Sequence, residues 1–282
     1  MKHAPLFLSL ALLSLSHGTV YGGDQQQPEL VRLQELDPPE NGSHACLSGD
    51  GVSIVWEVGG KVWMASRKNA DSLFENKAEV SYGRHPYLSD DGLELFTIAR
   101  RADGGQGDSL FVATRPSIEA AFSRPREIVE LNRQSSPKSP SLSADGLSLY
   151  FTRTGTDGKS PEFAVATRPS RDGVWSTPKI LRMNRNGVTG ALTWMSMTDG
   201  GTLLLCSQEP APGPDGNLFV WTKQDDGTYA KPQLIRIDGL APLAGRAPRY
   251  ISSTKELYFT KVVDRGKFEL WVVRDIDLNG MK

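Results

Sequence analysis

Cysteine is nearly missing from this chain of 282 residues, which holds only Cys46 and Cys206. That excludes a disulfide-stapled scaffold and any Cys-x-x-Cys zinc site. The two thiols fall in different repeats of the alignment below and are expected to be small buried residues, not a pair. An excess of one charge is missing too: 32 Lys and Arg face 33 Asp and Glu, a net charge of −1. Nothing global therefore attracts nucleic acid or an anionic membrane surface. No Gly-x-Ser-x-Gly elbow offers a serine nucleophile. Beyond the first residues, no apolar run approaches the roughly 20 residues of a spanning helix. Glycine (28) and proline (18) are plentiful instead, in a chain 38% hydrophobic and 23% charged, which points to a folded, turn-rich protein.

Met1-Lys2-His3 precedes the short apolar segment "APLFLSLALLSLS" and the polar stretch "HGTVYGGDQQQ". This is the order of a secretory signal, with Val20 and Gly22 at the −3 and −1 positions of cleavage, or Gly18 as the alternative −1 residue. The alternative is a retained anchor, which the shortness of the run disfavours. No cysteine stands there to carry a lipid. The expected organisation is a signal peptide at 1–22 and one domain at 23–282, periplasmic or extracellular, with no membrane insertion after cleavage.

Self-similarity dominates that domain. "LSADGLSLYFTR" from Leu142 has twins in "LSDDGLELFTIAR" from Leu88 and "LSGDGVSIVWEV" from Leu47. Weaker copies are "MTDGGTLLLCSQ" from Met197 and "ISSTKELYFTK" from Ile251. Their apolar anchors, Ile54, Leu95, Leu149, Leu204 and Leu257, lie 41, 54, 55 and 53 residues apart. After a Gly/Asp-rich loop each copy continues with a second apolar run such as "LFVATRPS" or "FAVATRPS". An aromatic, a proline and a third run follow, clearest at Trp175-Ser176-Thr177-Pro178. Short β-branched and aromatic runs bounded by turn residues read as antiparallel strands. A unit of about 50 residues with three or four of them is a propeller blade.

The expected fold is therefore all-β, a β-propeller of five blades of four-stranded antiparallel sheet. The units run roughly 40–83, 84–134, 135–186, 187–242 and 243–282. The last unit lacks its third run, while "PELVRL" from Pro28 to Leu33 is a spare one near the N-terminus. Strand 28–33 is expected to close the ring and hide two open edges.

Pro140 to Gly146 with Leu149-Tyr150-Phe151, and Pro86 to Phe96, resemble the WD40-like (TolB-type) β-propeller repeat of exported bacterial proteins. The continuation from Val165 to Asn184 is similar to a common version of it. The resemblance covers nearly all of 23–282, weakest in the first and last units. No counterpart of the domain that precedes the TolB propeller is expected, so no TolB role is implied. A sialidase Asp-box does not fit, because Asp91-Gly92 and Asp145-Gly146 are adjacent pairs.

Candidate chemistry is sparse. Asp50, Asp91 and Asp145 recur in register, as a turn residue should and a catalytic acid should not. The acids before the second run (Asp108, Glu162, Glu269) share one slot, and the cations closing it (Arg67, Arg115, Arg168, Lys223, Arg274) share another. These are expected in salt bridges, within a blade or between neighbours, or in solvent. One slot is more distinctive: Ser43-His44, Arg84-His85, Lys138-Ser139, Thr193-Trp194 and Arg246-Ala247. In propellers of the resembled family the first strand of each blade lines the channel. His44, Arg84, His85, Lys138, Trp194 and Arg246 would then circle one mouth, suiting an anionic ligand.

The expected function is a non-enzymatic, monomeric binding or scaffold protein. It would recognise a protein or an anionic glycan through this mouth or a loop face, without nucleic acid. No cofactor is expected, although His44 and His85 in adjacent blades could share a metal. The competing class is a polysaccharide-active enzyme, a glycoside hydrolase or a lyase. Lyase-type members with related repeats use a metal and cations on uronic acids, which would recruit Arg84, His85, Lys138 and Arg246.

Overall fold

The repeated Ser-x-Asp-Gly segments are turns because their side chains and backbone satisfy each other. Ser48, Ser89 and Ser143 donate their hydroxyls to Asp50, Asp91 and Asp145 at 2.5, 2.7 and 2.5 Å. The same carboxylates accept the backbone N–H of Val52, Leu93 and Leu147. Gly51, Gly92 and Gly146 then take φ of +70°, +72° and +75°, a region in which a side chain is strained.

Between such turns the described residues form twenty strands in five four-stranded sheets. β1 (Glu29–Arg32) comes first. Blade 1 is β2 (Ser43–Leu47), β3 (Ser53–Val58), β4 (Lys61–Ser66) and β5 (Glu75–Tyr82). Blade 2 is β6 (Arg84–Leu88), β7 (Glu94–Arg100), β8 (Asp108–Thr114) and β9 (Arg126–Glu127). Blade 3 is β10 (Lys138–Leu142), β11 (Ser148–Thr154), β12 (Pro161–Thr167) and β13 (Lys179–Ile180). Blade 4 is β14 (Ala191–Thr198), β15 (Leu203–Glu209), β16 (Leu218–Thr222) and β17 (Gln233–Leu234). Blade 5 is β18 (Arg246–Ile251), β19 (Glu256–Asp264) and β20 (Lys267–Arg274), completed by β1 on β20. The ring is thus closed by the N-terminal strand, with Leu30 opposite Val273 and Val31 opposite Val272.

This computed structural model describes residues 28–37, 39–101, 107–132, 136–155, 161–188, 190–198, 201–209, 215–237, 242–264 and 266–281. The expected signal peptide, 1–22, lies outside the described residues.

Each first strand packs against the first strands of both neighbouring blades, so β2, β6, β10, β14 and β18 ring the axis. The five apolar anchors are all fully buried. They face Leu47, Leu88, Leu142, Met197 and Tyr250 across the first hairpin. In blade 5 the facing residue is Tyr250, one before the Ile251 that repeat alignment selects, because Ile251 pairs with Glu256 across a turn lacking Asp-Gly. Outer strands are shorter than their apolar runs suggest: β9, β13 and β17 have two residues each. In blade 2 the run ends as a helical turn, α1 (Val129–Asn132). The Asn132 amide continues the pairing by bonding both N–H and C=O of Leu110. Cys46 and Cys206 are buried and free.

In blades 1 and 3 the recurring basic residue is a latch to the preceding blade. Arg67, Arg115 and Arg168 each donate Nε to a turn carbonyl (Gly51, Gly92, Gly146). Each lies over the aromatic of its own blade, Phe74, Phe122 or Trp175, at 4.5–4.7 Å. Arg67 of blade 1 then reaches Glu256 of blade 5 at 2.6 Å, and Arg168 of blade 3 reaches Glu94 of blade 2 at 2.5 Å. These bridges lie at the end of the ring opposite the mouth described next.

Candidate ligand site at the channel mouth

The slot singled out in the sequence is a bulge repeated in every blade. His44, His85, Ser139, Trp194 and Ala247 have φ of 55°, 49°, 49°, 48° and 49°. Pairing between first and second strands shifts register at each of them. Left-handed backbone at non-glycine residues costs free energy, and such bulges re-aim side chains. In blades 1 and 2 the bulged N–H is held by the preceding blade. His44 N donates to Thr260 Oγ1 and His85 N to Glu57 Oε2, both at 3.0 Å.

The result is a compact cluster. The His44 and His85 rings stack at 4.2 Å with 15° between planes. Trp194 lies 6.0 Å from His44, and Arg246 sits 5.1 Å above the Trp194 ring. Lys138 is exposed on the rim and shares a cavity of about 390 Å³ with His85, Ser139, Arg153, Thr193 and Trp194. Arg84 is exposed and pairs with Asp108 at 2.8 Å, further out on the same rim. His85, His44, Trp194 and Arg246 therefore form a chain of successive contacts, and Lys138 and Arg84 flank it.

Burial, reinforced by Arg246 and Arg84, pulls His44 down to about 4. Burial, His44 itself, Arg84 and Lys138 hold His85 well below the ordinary imidazole value. Both shifts favour the neutral ring. Burial raises the Glu57 carboxyl against the opposing pull of the His85 N–H and Arg84. Asp215, which accepts the Val262 N–H and lies 3.9 Å from Arg246, is raised by burial as well. Below the mouth the passage narrows to a space of about 40 Å³. Buried Arg249 lines it, pairing with Asp90 at 3.0 Å, donating to Met197 O and covering the Tyr87 ring.

Sequence reasoning missed Glu57, Arg153 and Asp215. Glu57 had a signal: the second-strand residues facing the bulge slot are Glu57, Ile98, Thr152, Ser207 and Thr260, a series with one acid. Arg153 follows Thr152 and gave no comparable signal, because its ion pair with Glu162 looks like any cross-strand pair. The acids of the second-run slot serve as ion-pair partners here: Asp108 of Arg84, Glu162 of Arg153 and Glu269 of Arg32.

No family model and no curated protein matches the sequence. Solved structures match in fold. A thermostable family-43 glycoside hydrolase aligns at 12% identity over 83% of this chain and 89% of that one, TM-score 0.61. The α-L-arabinofuranosidase PaAbf62A from Podospora anserina, in complex with cellotriose, aligns at 13% over 83% and 90%, TM-score 0.51. A putative TolB from Agrobacterium tumefaciens aligns at 15% over 84% and 79%, TM-score 0.48. At such identities the likeness is one of fold, which does not by itself assign a function. The chain is a five-bladed β-propeller.

Proposed function

We propose that this propeller is an exported binding protein that takes an anionic group of a glycan or protein partner at its channel mouth. The carrying observation is the cavity of about 390 Å³ between the first strands of blades 3 and 4. It sets Lys138 and Arg153 beside the Trp194 indole and the hydroxyls of Ser139, Thr152 and Thr193. Its size suits a small ligand group. Cations in a partly enclosed cleft focus positive potential on a carboxylate or phosphate. The indole offers a flat apolar wall for a sugar face or a side-chain stem. The central passage beside it, lined by Arg249, is a space of only about 40 Å³, which suits a terminal group of the partner rather than a threaded chain. Export rests on the sequence of residues 1–22, and the N-terminal residue of the secreted protein checks it.

The test is a thermal-shift and calorimetric screen of residues 23–282 at low salt, against uronic-acid oligosaccharides, phosphates and acidic peptides. Binding raises the melting temperature by mass action. Lys138→Ala is expected to weaken it about tenfold or more, as loss of a charge-assisted hydrogen bond does. No shift with any of these ligands at millimolar concentration overturns the reading.

The raised Glu57 and Asp215 carboxyls favour a second reading, an enzyme acting on polysaccharide. Glycoside cleavage commonly uses two such groups across the bond, and the family-43 hydrolase shares this fold. Release of reducing sugar that disappears in Glu57→Gln would establish it; binding without product retains the first reading.

A further inference from the structure

Three potential metal donors converge where β2, β3 and β6 meet. One ligand atom each of His44, Glu57 and His85 lies within 4.8 Å of the other two. His44 Nδ1 is 3.5 Å from Glu57 Oε2 and 3.0 Å from Ser43 Oγ. His44 Nε2 is buried and has no hydrogen-bond partner. A buried polar atom left unpaired costs about 1–3 kcal/mol, and a turn of the ring that brings this nitrogen to an ion would satisfy it.

We propose that His44, Glu57 and His85 form a binding site for a divalent transition-metal ion of the zinc type. Two neutral imidazoles and one carboxylate are a donor set that zinc and its neighbours favour over magnesium or calcium. Three protein donors leave a fourth position for water or a ligand oxygen. His85 also lines the larger cavity, so that open position is within reach of the mouth. Ser43 Oγ, and Ser139 Oγ at 3.5 Å from His85 Nδ1, are the groups that orient the rings.

Ring geometry makes the proposal specific. Imidazole lone pairs lie in the ring plane, and an ion sits about 2.0–2.1 Å from nitrogen. Two rings stacked with 15° between planes cannot both aim at one ion, so one ring turns and the stack breaks on binding. Arg84, Arg246 and Lys138 nearby oppose a dication, which keeps the affinity modest until an anion joins it.

The inference stands apart from the anion reading, because metal alone tests it. Untagged residues 23–282, stripped with chelator, are titrated with Zn²⁺ by calorimetry and with Co²⁺ by visible absorption. The expected result is one ion per chain, with Co²⁺ bands of four-coordinate nitrogen and oxygen ligation. Glu57→Gln and His85→Ala are expected to weaken binding more than tenfold each. Circular dichroism of each variant reports folding, and the near-isosteric Glu57→Gln decides if His85→Ala fails to fold. No binding up to millimolar metal, or affinity unchanged in a folded Glu57→Gln, overturns the proposal.

Discussion

Arg115 occupies the same latch as Arg67 and Arg168, yet its Nη2 is buried without a hydrogen-bond partner. The acid slot of the preceding blade explains this: Glu256 and Glu94 open β19 and β7, whereas Ser53 opens β3. A serine cannot reach the guanidinium that a glutamate bridges in the other two latches. Ser53→Glu is therefore expected to stabilise the protein by about 1–2 kcal/mol, since it pairs a buried charge already present. In a chain this long that raises the melting temperature by about 2–8 °C, and an unchanged or lower value in a calorimetric scan refutes the vacant latch. The opposite change belongs to Glu256. It also accepts Thr254 Oγ1 and Tyr258 Oη, so its loss leaves Arg67 buried and uncompensated. Glu256→Gln is expected to cost about 3–5 kcal/mol in urea unfolding.

At the scale of the element, the Asp91-Gly92 turn gives the first hairpin of blade 2 a pH dependence. Burial alone would raise the Asp91 carboxyl, but Ser89, the Leu93 N–H and Arg171 outweigh it and hold it below the ordinary 3.8. A folded value below the unfolded one means stability that is fully present above pH 3.8 and lost as pH falls through the folded value. Asp91→Asn should thus be less stable than the parent at pH 7, with the gap closing below pH 3.8. Parallel urea titrations at the two pH values read this directly; a constant gap refutes it. Such turns were legible because their chemistry is local to four or five residues. The outer strands were not. β9, β13 and β17 have two residues each, and in blade 2 the run goes on into the α1 turn.

For the whole molecule, ring closure is the decisive contact. β1 covers the free edge of β20, the Leu33 N–H donates to Leu270 O, and Leu33 is buried between blades 5 and 1. Burying one leucine contributes about 1.5–3 kcal/mol, and an unpaired β20 edge is a template for association. Removing residues 28–33 from a 23–282 protein is expected to lower the melting temperature by roughly 5–10 °C. Concentration-dependent oligomers should then appear in size-exclusion chromatography. A monomer of unchanged stability would show that the ring holds without its clasp.

The sequence by itself determined the repeat, the blade count, the Asp-Gly turns and the closing strand, because each rests on local turn chemistry or on apolar spacing that recurs at fixed intervals. It also named the ring of His44, Arg84, His85, Lys138, Trp194 and Arg246, because equivalent slots in a ring of equal units must lie at one height. Tertiary structure alone decided what those slots do. The bulge at each slot turns His44 and His85 into a stack, carries Trp194 beneath Arg246, and draws Glu57 in from the second strand. It likewise decided that Arg67 and Arg168 are latched to a neighbouring blade while Arg115 is not. Those contacts join residues distant in sequence, and one repeat carries no record of which side chain its neighbour presents.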